Sequence, residues 1–204
     1  MTTSGPAPLT ADAIVIGTSA GGVDALLMLL PALPGDYQGA VFVVLHLPRE
    51  RPSLLVEIFA PKCALAVREA EDKELVAPGT IYFAPPDYHL LIDDGPALSL
   101  SADEPVNFSR PSIDVLFESA ADIYGSSLLG IILTGASSDG AQGLEAVHAQ
   151  GGLTIVQEPT TAQSSVMGEA ALRRVPGHRV MNLAELAALL RNVRMRHGAA
   201  GEGV

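Results

Sequence analysis

The chain has 204 residues and a mass of 21.1 kDa, which suits one compact domain with a sizeable core. Twelve Lys and Arg against 23 Asp and Glu leave a formal charge of −11, which repels phosphate backbones and removes the attraction behind non-specific nucleic-acid binding. At 48% hydrophobic and 17% charged residues the composition is far from disordered chains, and with 4% aromatics and no Trp the core must be built from Ala, Leu, Val and Ile.

Cys63 is the single cysteine, so no disulfide within the chain and no Cys-rich metal site is expected, and a buried structural thiol is its plain reading. No Lys or Arg precedes Arg49, so the start lacks the basic region of a secretory signal. The apolar stretch Ala25 to Leu33 is broken by Pro31 and is too short to span a bilayer. A cytoplasmic protein is expected.

Residues 1–10 and 198–204 are small, polar and rich in Pro or Gly, and read as flexible tails around a body over 11–197. Ala13 to Ile16 and Ala40 to Leu45 are β-branched apolar runs of the kind found in parallel strands covered on both faces. Between them Val23 to Leu33 reads as a helix stopped by Pro34-Gly35. The runs Ile81 to Ala84, Leu90 to Ile92 and Ala97 to Leu100 are separated by turn residues, which predicts a small antiparallel hairpin region near residues 80–100.

Alternation then resumes with a helix near Ser112 to Ile123, a strand at Leu129 to Leu133 and a helix near Gly140 to Ala149. A strand at Leu153 to Val156 and a helix near Leu183 to Arg194 complete it. The fold class is α/β: a mostly parallel, doubly wound, Rossmann-like three-layer sheet. Ligands of such sheets sit beyond the carboxyl ends of the strands, so the loops after Ile16, Leu45 and Leu133 should share one edge.

Those loops hold the unusual residues. Gly17-Thr18-Ser19-Ala20-Gly21-Gly22 fits the G-x-S-x-G spacing that puts a serine on a sharp turn between strand and helix, where helix amides can stabilise an oxyanion. A dinucleotide loop would need glycine at position 19, and a Walker loop would need a lysine that is absent there. His46 ends the second apolar run, and Asp139 follows the third just before a helix, where it could equally be an ordinary N-cap. Taken together, Ser19, His46 and Asp139 supply the residue types of nucleophile, base and orienting acid at neighbouring strand ends.

The order Ser, His, Asp departs from that of the α/β-hydrolases. Five segments in order instead resemble the catalytic domain of the chemotaxis protein-glutamate methylesterases (CheB-type). They are Ile16 to Gly22, Val44 to Pro48, Pro78 to Leu90, Arg110 to Phe117 with Ser119 to Ala121, and Ile132 to Gly135 with Ser138 to Gly143. The similarity runs from about residue 12 to 190 and includes Gly151-Gly152 and Ile155 to Glu158.

The resemblance implies Ser19 as nucleophile, His46 as general acid/base and Asp139 as the group orienting His46. It also implies hydrolysis of γ-glutamyl methyl esters on the cytoplasmic helical bundle of methyl-accepting chemotaxis receptors, with glutamine deamidation in some members, and no metal or cofactor. The oxyanion and substrate region would involve Ala20, Gly21 and Ala136, and Arg110, beside Pro111 at a helix start, reads either as a cleft residue contacting the substrate carbonyl or the receptor or as a solvated loop residue.

Three departures stand out. The family's Ser-Thr pair is Ser19-Ala20 here, its Thr-Gly-Met-Gly is Thr134-Gly135-Ala136-Ser137, and its amino-terminal receiver domain is missing from the sequence, so the expectation is either no control in cis, or control by a separate receiver protein in trans or by a removed segment. The rival readings are a catalytically weak receptor-binding module of the same fold, and an esterase or amidase for another protein or small ester.

Among other residues, Asp87 and His89 read as structural or rim groups, and Ser112, Asp114 and Glu118 as helix capping and first-turn charge. His148, His178 and His197 lack metal-ligand spacing and read as surface residues. An acidic protein docking on an acidic receptor would need Arg49, Arg51, Lys62, Arg68 and Arg110 gathered on the cleft face.

Overall fold

The computed structural model describes residues 9–47 and 53–196. Fifteen helices and strands of the described chain bear on the site. In chain order they are β1 (Ala13–Thr18), α1 (Gly22–Leu29), β2 (Ala40–Leu45), α2 (Leu55–Phe59), β3 (Ala66–Glu69), β4 (Thr80–Phe83), β5 (His89–Asp93) and β6 (Ala97–Ser101). The chain continues with α3 (Ile113–Tyr124), β7 (Leu128–Ile132), α4 (Ala141–Ala149), β8 (Leu153–Gln157), α5 (Val166–Arg174), β9 (Arg179–Met181) and α6 (Leu183–Leu190).

Seven strands form one parallel sheet in the order β3-β4-β2-β1-β7-β8-β9, and β5 and β6 form a separate antiparallel pair. Successive side chains of a strand point to opposite faces, so a strand covered on both sides must be apolar throughout. β1, β2, β4 and β7 are buried at every residue. Ile14, Ile16, Val41, Val43 and Phe83 join α1, α2 and α6 in one core layer. Val15, Phe42, Val44, Tyr82 and Ile132 join α3, α4, α5 and the hairpin in the other. This is the expected three-layer α/β fold.

Three expectations need correction. The run starting at Ile81 is not part of the antiparallel region: β4 pairs in parallel with β2 and β3, as its complete burial requires, and the hairpin is confined to 89–101. The helix expected over Val23 to Leu33 begins at Gly22 and ends as α-helix at Leu29, where Pro31 continues the chain as a 3-10 turn. Leu9 and Thr10, expected in the amino-terminal tail, are tied to Arg194, whose N–H donates to the Leu9 carbonyl at 2.8 Å. The remaining tail residues, 1–8 and 197–204, lie outside the described residues.

β1 sits between β2 and β7, so the chain turns one way after β1 and the other way at β7. The loops after these three strands therefore meet at the switch point of the sheet, where ligands of open α/β sheets bind. The amino end of α3 is drawn into the same place because two glycines make room for it. A Cβ on Gly17 or on Gly140 would lie 2.3 or 2.7 Å from Ile113 Cγ2, closer than real Cβ contacts.

Candidate active site

Ser19 and His46 stand one residue beyond Thr18 and Leu45, which are register partners in β1 and β2. The two therefore leave adjacent strands at the same level, and the His46 N–H donates to the Thr18 carbonyl at 3.1 Å. The Ser19 N–H is spent on the Thr134 carbonyl at 3.0 Å, which also accepts from the Thr18 hydroxyl at 2.8 Å. These bonds fasten the serine turn to the loop after β7. Thr134 in turn donates its hydroxyl to the Ala20 carbonyl at 2.8 Å.

Asp139 is fully buried, and its Oδ2 lies 2.9 Å from Nε2 of His46, whose side chain is 15% exposed. The structure thus brings two of the three strand-end residues into direct contact and places the third on the neighbouring strand end. Asp139 does not cap the helix that follows it: the N-cap of α4 is Gly140. It caps α3 instead, accepting the Ile113 N–H at 2.6 Å and the Asp114 N–H at 3.2 Å. The Ser112 hydroxyl donates at 2.7 Å and the Asn107 amide at 3.1 Å, so five donors converge on one carboxylate. Burial alone would push this carboxyl up, but the bonds from His46, Ile113, Ser112 and Asn107 together outweigh it and hold the group below its ordinary value.

Ser112 stands at the N-cap position of α3 and Asp114 in its first turn, as expected, but their side chains are committed elsewhere. Ser112 makes no side-chain cap, because its hydroxyl is turned to Asp139. Asp114 is buried and accepts from Asn107 Nδ2 at 2.7 Å and from the Gly143 N–H at 2.6 Å. Burial raises its carboxyl to about 6; the Gly143 and Asn107 bonds oppose that shift, and the charges of Asp139 and Glu118 add to it. Asn107 therefore bridges two carboxylates with one amide group. No periodicity marks Asn107, since its partners lie 7 and 32 residues away.

The oxyanion-region candidates are placed as follows. Ala20 is exposed, and Gly21, half-buried, is the N-cap of α1. The Ala20 and Gly21 N–H groups have no acceptor among the described residues, nor has that of exposed Ala136 in the facing loop. Arg110 lies with His46, Leu47, Phe108, Ser109 and Pro111 around a cavity of about 170 Å³. Four of its five donors are committed within the chain: Nε and Nη2 to Asp87 Oδ1 at 3.1 and 2.8 Å, and Nη1 to the Ala102 and Asp103 carbonyls at 2.6 and 2.9 Å.

His89 is buried and structural, accepting the Ser112 N–H on Nδ1 at 3.1 Å and donating from Nε2 to the Glu104 carbonyl at 3.2 Å. His178 is no surface residue: it is buried, with Nδ1 2.7 Å from the Thr154 hydroxyl and its ring edge-on to exposed His148. Cys63 is half-buried against the core, which pushes its thiol up to about 11. Of the basic residues expected to gather at the cleft, Arg49 and Arg51, like His197, lie outside the described residues. Arg68 is paired with Glu74 at 3.2 Å and Arg110 with Asp87 at 2.8 Å, and Lys62 is exposed.

The model of the CheB methylesterase family matches residues 14–190. A Leptospira interrogans protein carrying the provisional name protein-glutamate methylesterase/protein-glutamine glutaminase is 44% identical over 178 residues, covering 87% of this chain and 92% of that protein. An Archaeoglobus fulgidus protein-glutamate methylesterase/protein-glutamine glutaminase is 38% identical over 162 residues, covering 78% of this chain and 46% of that protein. The crystal structure of the Thermotoga maritima CheB methylesterase catalytic domain superposes with a TM-score of 0.81 at 31% identity, over 89% of this chain and 100% of that one. With this sheet, this strand-end site and these relatives, the chain belongs to the CheB methylesterase family.

Proposed function

We propose that this protein is a cytoplasmic serine hydrolase that removes methyl groups from γ-glutamyl methyl esters of chemoreceptors and deamidates receptor glutamines. The observation that carries the reading is the His46–Asp139 contact at 2.9 Å beside the Ser19 turn. With Nε2 donating to Asp139, the lone pair of the neutral ring is on Nδ1, which is the nitrogen left for the serine hydroxyl. Ser19 Oγ attacks the ester carbonyl carbon while His46 takes its proton. His46 then returns that proton to the departing methoxide, which leaves as methanol.

Water, deprotonated by His46, cleaves the acyl-enzyme to the γ-carboxylate and restores Ser19. A glutamine amide follows the same course and releases ammonia. Asp139 stays ionised, keeps the ring in this tautomer and offsets the positive charge it gains in each transfer. The amides of Ala20, Gly21 and Ala136, which have no acceptor among the described residues, are the donors proposed for the oxyanion. Such a site draws on backbone groups, so Ala20, Ala136 and Ser137 alter its rim without removing its chemistry.

Arg110, committed by four bonds, braces the cavity wall in this reading. Support for protein-bound glutamate esters and glutamines as substrates comes from the names of the relatives and not from charge. The body over 11–197 acts as the catalytic domain. No helix among the described residues is long and apolar enough to cross a membrane.

The test is methanol release from a methylated chemoreceptor fragment by the wild type and by Ser19→Ala. Turnover lost in the variant is the expected result. Tight binding without turnover would instead support the receptor-binding module, and turnover retained by Ser19→Ala would overturn the mechanism.

A further inference from the structure

Asn107 and Phe108 form the two-residue loop of a tight hairpin in which Val106 and Ser109 exchange both backbone hydrogen bonds, at 3.1 and 2.9 Å. Both loop residues have positive φ, 49° and 63°, the pattern of a type I′ turn, which favours Asn followed by Gly. Asn107 fits this rule and its amide serves Asp139 and Asp114. Phe108 breaks it. A Cβ in the left-handed region is strained, and the ring on this one is 100% exposed, so it contributes no core burial in return.

An aromatic side chain that costs the fold twice is explained by contact with something outside the fold. Its place says what. Phe108 lines the same cavity as His46, and Val106 beside it is 38% exposed. A glutamyl ester hangs from its backbone by a short side chain, so delivering its carbonyl to Ser19 lays the carrier segment across the cavity mouth. The chain charge is −11 and Arg110 is ion-paired, so apolar contact is the source of affinity that the described residues of this cavity offer an acidic carrier.

We propose that Phe108 is a specificity-determining residue that docks an apolar side chain of the helical substrate segment next to the esterified glutamate, an inference that rests on the methylesterase reading above. It is tested with Phe108→Gly, which suits the turn, and Phe108→Tyr, which keeps the ring. Two substrates are compared, a methylated cytoplasmic chemoreceptor fragment and the γ-methyl ester of N-acetylglutamate amide.

Phe108→Gly should fold with a thermal midpoint no lower than the wild type. Its kcat/KM for the fragment should fall at least fivefold relative to that for the small ester, with the loss in KM, and Phe108→Tyr should restore most of it. An unchanged ratio in Phe108→Gly, with the wild type active on the fragment, overturns the role of Phe108 alone. A wild type inactive on the fragment overturns the methylesterase reading and this inference with it.

Discussion

Replacing Asp139 with Asn keeps the shape of the side chain but not its five acceptor bonds. Oδ2 serves His46 and Ile113, and Oδ1 serves Asn107, Ser112 and Asp114. An amide has one acceptor oxygen. In its better orientation it keeps the three Oδ1 donors and turns its own NH2 toward Ile113 N–H and His46 Nε2. Stranding one buried backbone donor costs about 1–3 kcal/mol, and loss of the negative charge at the start of α3 adds about 1 kcal/mol.

The sum of about 3 kcal/mol lowers the melting midpoint of a domain this size by about 6–12 °C. The chemical effect is separate. Facing an NH2, Nε2 must become the acceptor and Nδ1 must carry the proton, so the ring no longer offers a lone pair to Ser19. The same tautomer error in the Ser-His-Asp template costs about 10⁴ in kcat. Thermal denaturation and methanol release measured on one preparation of Asp139→Asn read both effects. A variant as stable as the wild type, or one losing less than about tenfold in kcat, would refute the reasoning from five donors and one tautomer.

Asn107→Gly keeps the left-handed backbone and removes one of three donors from Oδ1, so a loss of about 1.4 kcal/mol, or tenfold in kcat, is expected in steady-state assays of a small ester, far less than for Asp139→Asn. Gly140→Ala puts a Cβ 2.6 Å from Ile132 Cδ1 and 2.7 Å from Ile113 Cγ2 at a φ of 93°. Urea denaturation should show a loss of about 2–4 kcal/mol from strain and overpacking, and activity should fall as the start of α3 shifts away from Asp139. His178 is held down to about 4, first by burial and then by the His148 charge, against Glu145. The folded state binds fewer protons there, so its contribution is full above the ordinary value of 6.5 and is lost as pH falls toward 4. Urea midpoints of His178→Gln should fall less steeply than the wild type over that window.

The parallel sheet was legible because strands buried on both faces have nothing to alternate with: Ala40 to Leu45 could hardly be anything else. The same logic, applied to Thr80–Phe83, would have moved that run out of the hairpin, but the turn residues around it drew it toward its neighbours. β3 and β9 carried no such signal. Their residues are mostly exposed, Ala66, Arg68 and Glu69 in one, Arg179 and Val180 in the other, because edge strands are covered on fewer sides. α2 and α5 were missed as well, the first a five-residue helix and the second a helix of low apolar content among small and charged residues.

At the site, Ser19, His46 and Asp139 stood out because each follows an apolar run, which makes a polar residue conspicuous. The partners of Asp139 did not. Ser112 and Asp114 sit where any helix start would hold them, and what distinguishes them is contact with a residue 25 to 27 positions on. His178, between Gly177 and Arg179, has no local pattern that predicts burial, and only the packing of β8 and β9 provides it.

The central claim is that Ser19 is activated by His46 in a tautomer set by Asp139. A fluorophosphonate probe reacts with a serine only when its hydroxyl is activated, and peptide mass spectrometry locates the adduct. The account predicts one adduct, on Ser19, formed rapidly by the wild type and slowly or not at all by His46→Ala and Asp139→Asn. An adduct on a different serine, or labelling of Ser19 at the same rate in both variants, would contradict it.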